Sequence, residues 1–146
     1  MTEIANSELP KSFWIIGGAF LLWNFFGLMI YYDQVTMTPE VISDNFTAEQ
    51  QAFLQNIPAW ATSAFAIAVT TGVIASLLLL VRNALALPIY IVSLVSVLLQ
   101  DVYSFVLTDS LAVWGSNALY MPTFVVVVGI VEIWYSRSAK AKGWVS

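Results

Sequence analysis

Four uninterrupted apolar stretches occupy most of the chain and decide what it can fold into. They run over about 13–32, 59–81, 84–107 and 111–135. Each reaches the roughly 20 residues that an α-helix needs to cross about 30 Å of hydrocarbon. Lipid offers no partner for open backbone N–H and C=O groups, so a spanning segment must be a helix or a strand of a closed barrel. Barrel strands alternate in short segments, whereas these runs are continuous. The expectation is an all-α fold: one domain over 1–146, a bundle of four transmembrane helices with an outer loop at 33–58.

Composition agrees and excludes much else. Charged residues are 10% and apolar residues 60% of the 146, with mean hydropathy +0.82. A soluble domain of this size leaves too much surface in water to hide so many apolar side chains. The chain has no Cys and no His, which excludes disulfides, thiolate nucleophiles, Cys/His zinc sites and Ser-His-Asp triads. A net charge of −4 with five Lys and Arg lacks the basic face that nucleic acid requires. No cofactor or metal is expected. The leader before the first run carries Glu3, Glu8 and Lys11. It has no basic n-region, and the run is longer than a signal h-region, so this reads as a retained helix.

The cations set an expected orientation. Lys11 precedes span 1, Arg82 lies between spans 2 and 3, and Arg137, Lys140 and Lys142 follow span 4. The other two connections have none, so the positive-inside rule places both termini in the cytoplasm. Asp33, Glu40, Asp44, Glu49 and Asp109 collect on the opposite side. Trp60 and Trp114 fall near the outer ends of their spans, and Trp14, Trp134 and Tyr135 near the inner ends, as interfacial aromatics do.

The loop at 33–58 contains helix-start signals. Thr38-Pro39 reads as an N-cap with Pro at the first helical position. Thr47 to Gln50 fits a capping box, while Gln51 opposite Phe46 spoils the hydrophobic staple. One or two short interfacial helices are therefore expected over the outer mouth.

Two sets of residues stand out inside the spans. Ala64, Ala68, Gly72 and Ser76 repeat every fourth residue in span 2, a ridge that lets backbones approach closely. Its plain reading is packing within one four-helix bundle; the alternative is a seam with a second copy or with a partner subunit. The second set is polar: Asn24 in span 1, Ser93, Ser96, Gln100 and Asp101 in span 3, and Asn117 in span 4. Polar groups in hydrocarbon are costly and turn inward. Asn24, Ser96, Gln100, Asp101 and Asn117 are expected to form one outward-opening pocket, rimmed by Tyr103 and capped by the 33–58 loop. Glu132 lies three residues from the end of the fourth apolar run. It is expected to pair with Arg82 or Arg137 at the interface, on the opposite membrane face from Asp101. Asp101 and Glu132 then cannot act as a carboxylate pair. Gly17-Gly18 lies within a span and makes no phosphate loop. No enzyme constellation is found.

Phe13-Trp14, Leu22-Trp23-Asn24 with Gly27, and PAWATSAFAIAVTTG (Pro58 to Gly72) followed by LLLLVR (Leu77 to Arg82) resemble a group of small bacterial inner-membrane proteins often labelled "sugar transporter". The likeness covers spans 1 and 2 best and extends more loosely over most of the chain. It implies a bacterial four-helix protein of the inner membrane and transfers no catalytic or binding residue. Three function classes are expected: an accessory or structural membrane subunit, a binder of a small apolar ligand anchored by Asn24 or Gln100, and a small-solute carrier or channel working as an oligomer. The partners expected are the lipid bilayer and either further copies of the chain or a larger membrane complex.

Overall fold

The computed structural model describes residues 8–146, so Glu3 in the leader lies outside the described residues. Seven α-helices and no strand are found among them. They are α1 (Lys11–Thr36), α2 (Pro39–Asn45), α3 (Ala48–Gln55), α4 (Ala59–Leu80), α5 (Ala86–Val102), α6 (Ser110–Trp114) and α7 (Tyr120–Ala141). A π turn at Tyr103–Leu107 extends α5, and a 3-10 turn at Ser116–Leu119 leads into α7. Four of the resulting helical stretches are long and apolar enough to cross a membrane: Lys11–Thr36, Ala59–Leu80, Ala86–Leu107 and Ser116–Ala141. The chain is a four-helix multi-pass membrane protein by length and composition. Its outer faces carry exposed large side chains such as Ile15, Leu22, Phe26, Val106 and Trp134, as a lipid-facing surface does.

Local chemistry sets most of the ends. The Thr38 hydroxyl accepts from Val41 N, with Pro39 opening α2. The α3 capping box is complete: Thr47 Oγ1 accepts from Gln50 N, and Gln50 Oε1 accepts from Thr47 N. Pro58 precedes α4 in extended conformation. Helix α7 closes with a Schellman arrangement in which Gly143, at φ 71°, lets its own N–H reach Lys140 O and that of Trp144 reach Ala139 O.

The fourth span differs from the sequence expectation of 111–135. Gly115 sits at φ 80°, ψ 170°, and ends α6 after one turn, a backbone conformation that costs glycine little. At its other end α7 runs on through Arg137 and Lys140 to Ala141. Cations in a last helical turn complement the macrodipole, and the stop is Gly143 rather than the end of the apolar run. The span is thus displaced about one turn and a half toward the C-terminus.

In space the spans follow the order α1, α4, α5, α7, each packed on its successor. The residues Ala64, Ala68, Gly72 and Ser76 are all buried, in the helix that packs against both α1 and α5. An aromatic and aliphatic core, with Phe13, Phe20, Leu79, Tyr90, Ala139 and Val145, fills the end of the bundle near the C-terminal tail. That tail is clasped by the α4–α5 turn. Ser146 N donates to Arg82 O, Ala84 N donates to Ser146 O, and Arg82 Nε donates to Trp144 O at 2.8 Å. Short α2 and α3 lie at the other end, with Phe46 and Phe53 edge-on to Trp114.

Candidate functional site: a polar cluster beside an interhelical cavity

Asn24 lies halfway along α1 and is 9% exposed. Its Nδ2 donates to Phe20 O within its own helix, to Ser76 Oγ on α4 at 3.2 Å, and to Glu132 Oε1 on α7. Ser76 Oγ in turn donates to Gly72 O and meets Tyr90 Oη of α5 at 2.9 Å. Ser93 Oγ, also on α5, donates to Ala68 O at 2.7 Å across the α4–α5 seam. One linked cluster therefore ties all four spans together. It can form only because α4 carries glycine at 72: a Cβ there would stand 2.0 Å from Asn24 Oδ1 and 3.3 Å from Ser93 Oγ.

Glu132 is 3% exposed, and it is where the sequence expectation fails. It makes no interfacial pair with Arg82 or Arg137. The buried positions of α7 are Glu132, Ser136 and Ala139, one face at i, i+4 and i+7. Arg137 is five residues on, roughly 140° around the helix, and exposed. Arg82 is engaged with the tail. Because α7 continues to Ala141, Glu132 sits about 14 Å from its end, near midspan rather than at the interface.

Beside the cluster lies a cavity of about 310 Å³ whose walls come from α1, α4, α5 with its π turn, and α7. Its polar lining includes Asn24, Ser93, Gln100, Asp101, Glu132 and Gln34. The expected placement of Asp101 and Glu132 on opposite faces is corrected here, since both border this one cavity. Its sides are apolar and aromatic, among them Trp23, Phe65, Leu94 and Val97. The π turn begins two residues beyond Asp101, and such irregular turns concentrate at functional sites.

A second cavity of about 330 Å³ lies under α2 and α3, lined by Phe46, Phe53, Tyr103 and Trp114 among others. The two share Gln34, Phe65, Gln100, Ser104 and Pro122 as lining residues. Tyr103 Oη donates to Asn56 O at 3.4 Å, fastening the α3 end to the π turn.

Of the residues expected to form the pocket, Asn24, Gln100 and Asp101 line the first cavity. Ser96 does not. It is buried, but its hydroxyl donates back to Val92 O, and it lies about 60° around the helix from Ser93. Asn117 is exposed in the 3-10 turn beyond Gly115 and borders neither cavity. Sequence reasoning missed Glu132 as a cavity residue, and it missed Gln34 and Tyr90 altogether. The spacing of Glu132, Ser136 and Ala139 at i, i+4 and i+7 was the available signal for the first. Tyr135 Oη and Ser136 Oγ are buried without a hydrogen-bond partner, so the polar face of α7 extends beyond the cluster toward the tail.

No protein-family model, curated protein or solved structure matches the chain.

Proposed function

We propose that this chain is a small-ligand-binding protein of the bacterial inner membrane, with both termini cytoplasmic and the α1–α4–α5–α7 cavity as its binding site. The observation that carries the reading is that cavity: about 310 Å³, apolar along its sides, with amide and carboxyl groups at fixed places. That volume is at the small end of the ~300–1,000 Å³ typical of small-molecule sites, which combine the same two features. Buried amides and carboxyls in a membrane span are expensive, and a structural role alone does not call for space beside them. Neither cavity gathers three or more metal-ligating side chains among the described residues, and the reading assigns no catalysis.

A carrier working as an oligomer, with a sugar-like solute, is the second reading. It draws on the wall shared by the two cavities, which sets the space under α2 and α3 beside the one that reaches midspan. The aromatic and aliphatic sides fit an apolar ligand better than a sugar, which needs many converging hydrogen-bond partners.

The test compares wild type with Val97→Phe, which fills the cavity from α5. Both are purified in mild detergent and extracted into organic solvent for mass spectrometry. A small molecule should accompany the wild type and be missing from the filled variant at equal thermal stability. Identical extracts, with a Cys at position 97 unreactive toward small thiol reagents, would remove the cavity as a binding site.

A further inference from the structure

The charge around the cavity is one-sided. Two carboxyl side chains, Glu132 and Asp101, border it, and no Lys or Arg does. All five Lys and Arg of the chain, namely Lys11, Arg82, Arg137, Lys140 and Lys142, are exposed at the opposite end from α2 and α3 or on the turns there. Glu132 is nonetheless buried near midspan, with the neutral Asn24 amide on one oxygen. A carboxylate in such a place requires a counter-charge, and an unpaired one is heavily disfavoured. None is supplied among the described residues, so the carboxyl either keeps its proton or is paired by a cation that enters the cavity.

The walls say which kind. An inorganic cation such as Ca²⁺ takes six or more oxygen ligands at about 2.3–2.6 Å, and the cavity lining holds only two carboxyl groups, Glu132 and Asp101, with no third metal-ligating side chain grouped with them among the described residues. Trp23, Phe26 and Phe65 line the sides, and aromatic rings attract organic cations. We propose that the cavity takes a small hydrophobic cation, a quaternary or protonated amine on an apolar body, with Glu132 as its counter-charge and a proton in that place when the cation is absent. This rests on the cavity being a binding site. Binding then exchanges one positive charge for another: the Glu132 carboxyl releases its proton as the cation enters, and no covalent bond to carbon or nitrogen changes.

The groups facing Glu132 fit the exchange. From α1 comes Asn24, from α4 Ser76, and from α5 the Tyr90 hydroxyl through Ser76, with Asp101 farther along the same cavity wall. Tyr135 and Ser136 follow on α7 itself. None is cationic, so none competes with the ligand. The Asn24 amide fixes one carboxylate oxygen and leaves the carboxylate's charge uncompensated.

The test uses the full chain in lipid nanodiscs with labelled methionine methyls, because Met121 lines the cavity and reports on it directly. The probe is phenyltrimethylammonium. Its neutral isostere tert-butylbenzene and the anion benzenesulfonate are the comparisons. Phenyltrimethylammonium should shift the Met121 resonance saturably, release a proton on binding, and bind more weakly as pH falls. Glu132→Gln keeps the shape and an acceptor for Asn24. It should weaken binding about tenfold or more and remove the proton release. If that variant does not fold, proton release and acid competition in the wild type decide. Equal binding of cation and neutral isostere, unaffected by Glu132→Gln, would overturn the cation assignment and leave the cavity as an apolar site. Preference for benzenesulfonate would overturn it as well. If no probe moves Met121, the cavity reading itself fails.

Discussion

Replacing Gly72 with Ala is the sharpest probe of the polar cluster. The added methyl carbon would stand 2.0 Å from Asn24 Oδ1 and 2.8 Å from its Cγ, well inside contact distance. The Asn24 side chain is short and fastened to Phe20 O, Ser76 and Glu132, so it can move only by giving up those bonds. Forcing a methylene into a packed seam costs about 1–3 kcal/mol. Losing a hydrogen bond to a buried carboxyl costs about 1–3 kcal/mol more. The two arise from one displacement, so the expected loss is about 2–4 kcal/mol in all. Gly18→Ala is the internal control, because nothing lies within 4 Å of its added carbon. That change should be neutral or stabilise by up to about 1 kcal/mol. Reversible unfolding in mixed micelles measures both. A double-mutant cycle with Asn24→Ala isolates the contact: once the amide is gone, Gly72→Ala should cost little, giving a coupling of nearly the whole loss, about 2–4 kcal/mol. If Gly72→Ala is as stable as Gly18→Ala, or if its cost is unchanged in the Asn24→Ala background, the close approach of α1 and α4 described here is wrong.

Two further outcomes are expected. Gly115→Ala should destabilise by about 1 kcal/mol or more, since φ 80° strains a side-chain-bearing residue. Circular dichroism melts would show this, and an unchanged melting temperature would mean that the α6–α7 junction adopts another backbone. For orientation, the native chain has no Cys, so a Cys at Gln51 should react with an impermeant maleimide on spheroplasts while one at Ser138 stays protected. The reverse pattern would invert the membrane orientation.

The spans were legible because lipid makes length and continuity the governing variables, and α2 and α3 because their caps are local chemistry. Thr38 needs only Pro39 and Val41, and Thr47 needs only Gln50. Hydropathy does not mark the ends of the fourth span, because the apolar run and the helix stop at different residues. Backbone hydrogen bonding continues past Arg137 regardless of side-chain polarity, and glycines at 115 and 143, not the ends of the apolar run, set the limits. A helix ending at Tyr135 would put Glu132 at the interface near Arg82 and Arg137; α7 ends at Ala141, so Glu132 lies near midspan. The pairing of Asn24 with Glu132 was illegible for a different reason. Partners in different helices meet only when the rotation of both helices is known, and apolar residues on every side of a lipid-embedded helix erase the amphipathic signal that would fix that rotation.

The position of the cavity follows from residue size at the seams. Where α1 meets α4, Gly17 faces Leu80, Gly27 faces Val69 and Gly72 faces Asn24, so the two backbones are drawn together as small residues allow in lipid. Where α7 meets α5, Gly129 receives Leu94 in the same way. The closing pair, α1 and α7, has no connecting loop and no such glycine contacts between its members. Bulky rings meet there instead, with Trp23 edge-on to Phe124 at 5.2 Å between centroids and Phe20 edge-on to Tyr135 at 5.7 Å. Rings at those separations hold two helix axes apart, and the only polar bond described across the gap is Asn24 to Glu132. With the α4–α5 seam closed by Ser93 Oγ on Ala68 O, tight seams on three sides and aromatic spacers on the fourth leave space in the bundle beside that bond. The same pattern that opens the cavity therefore places a carboxyl on its wall, where hydrocarbon can neither solvate nor pair a charge.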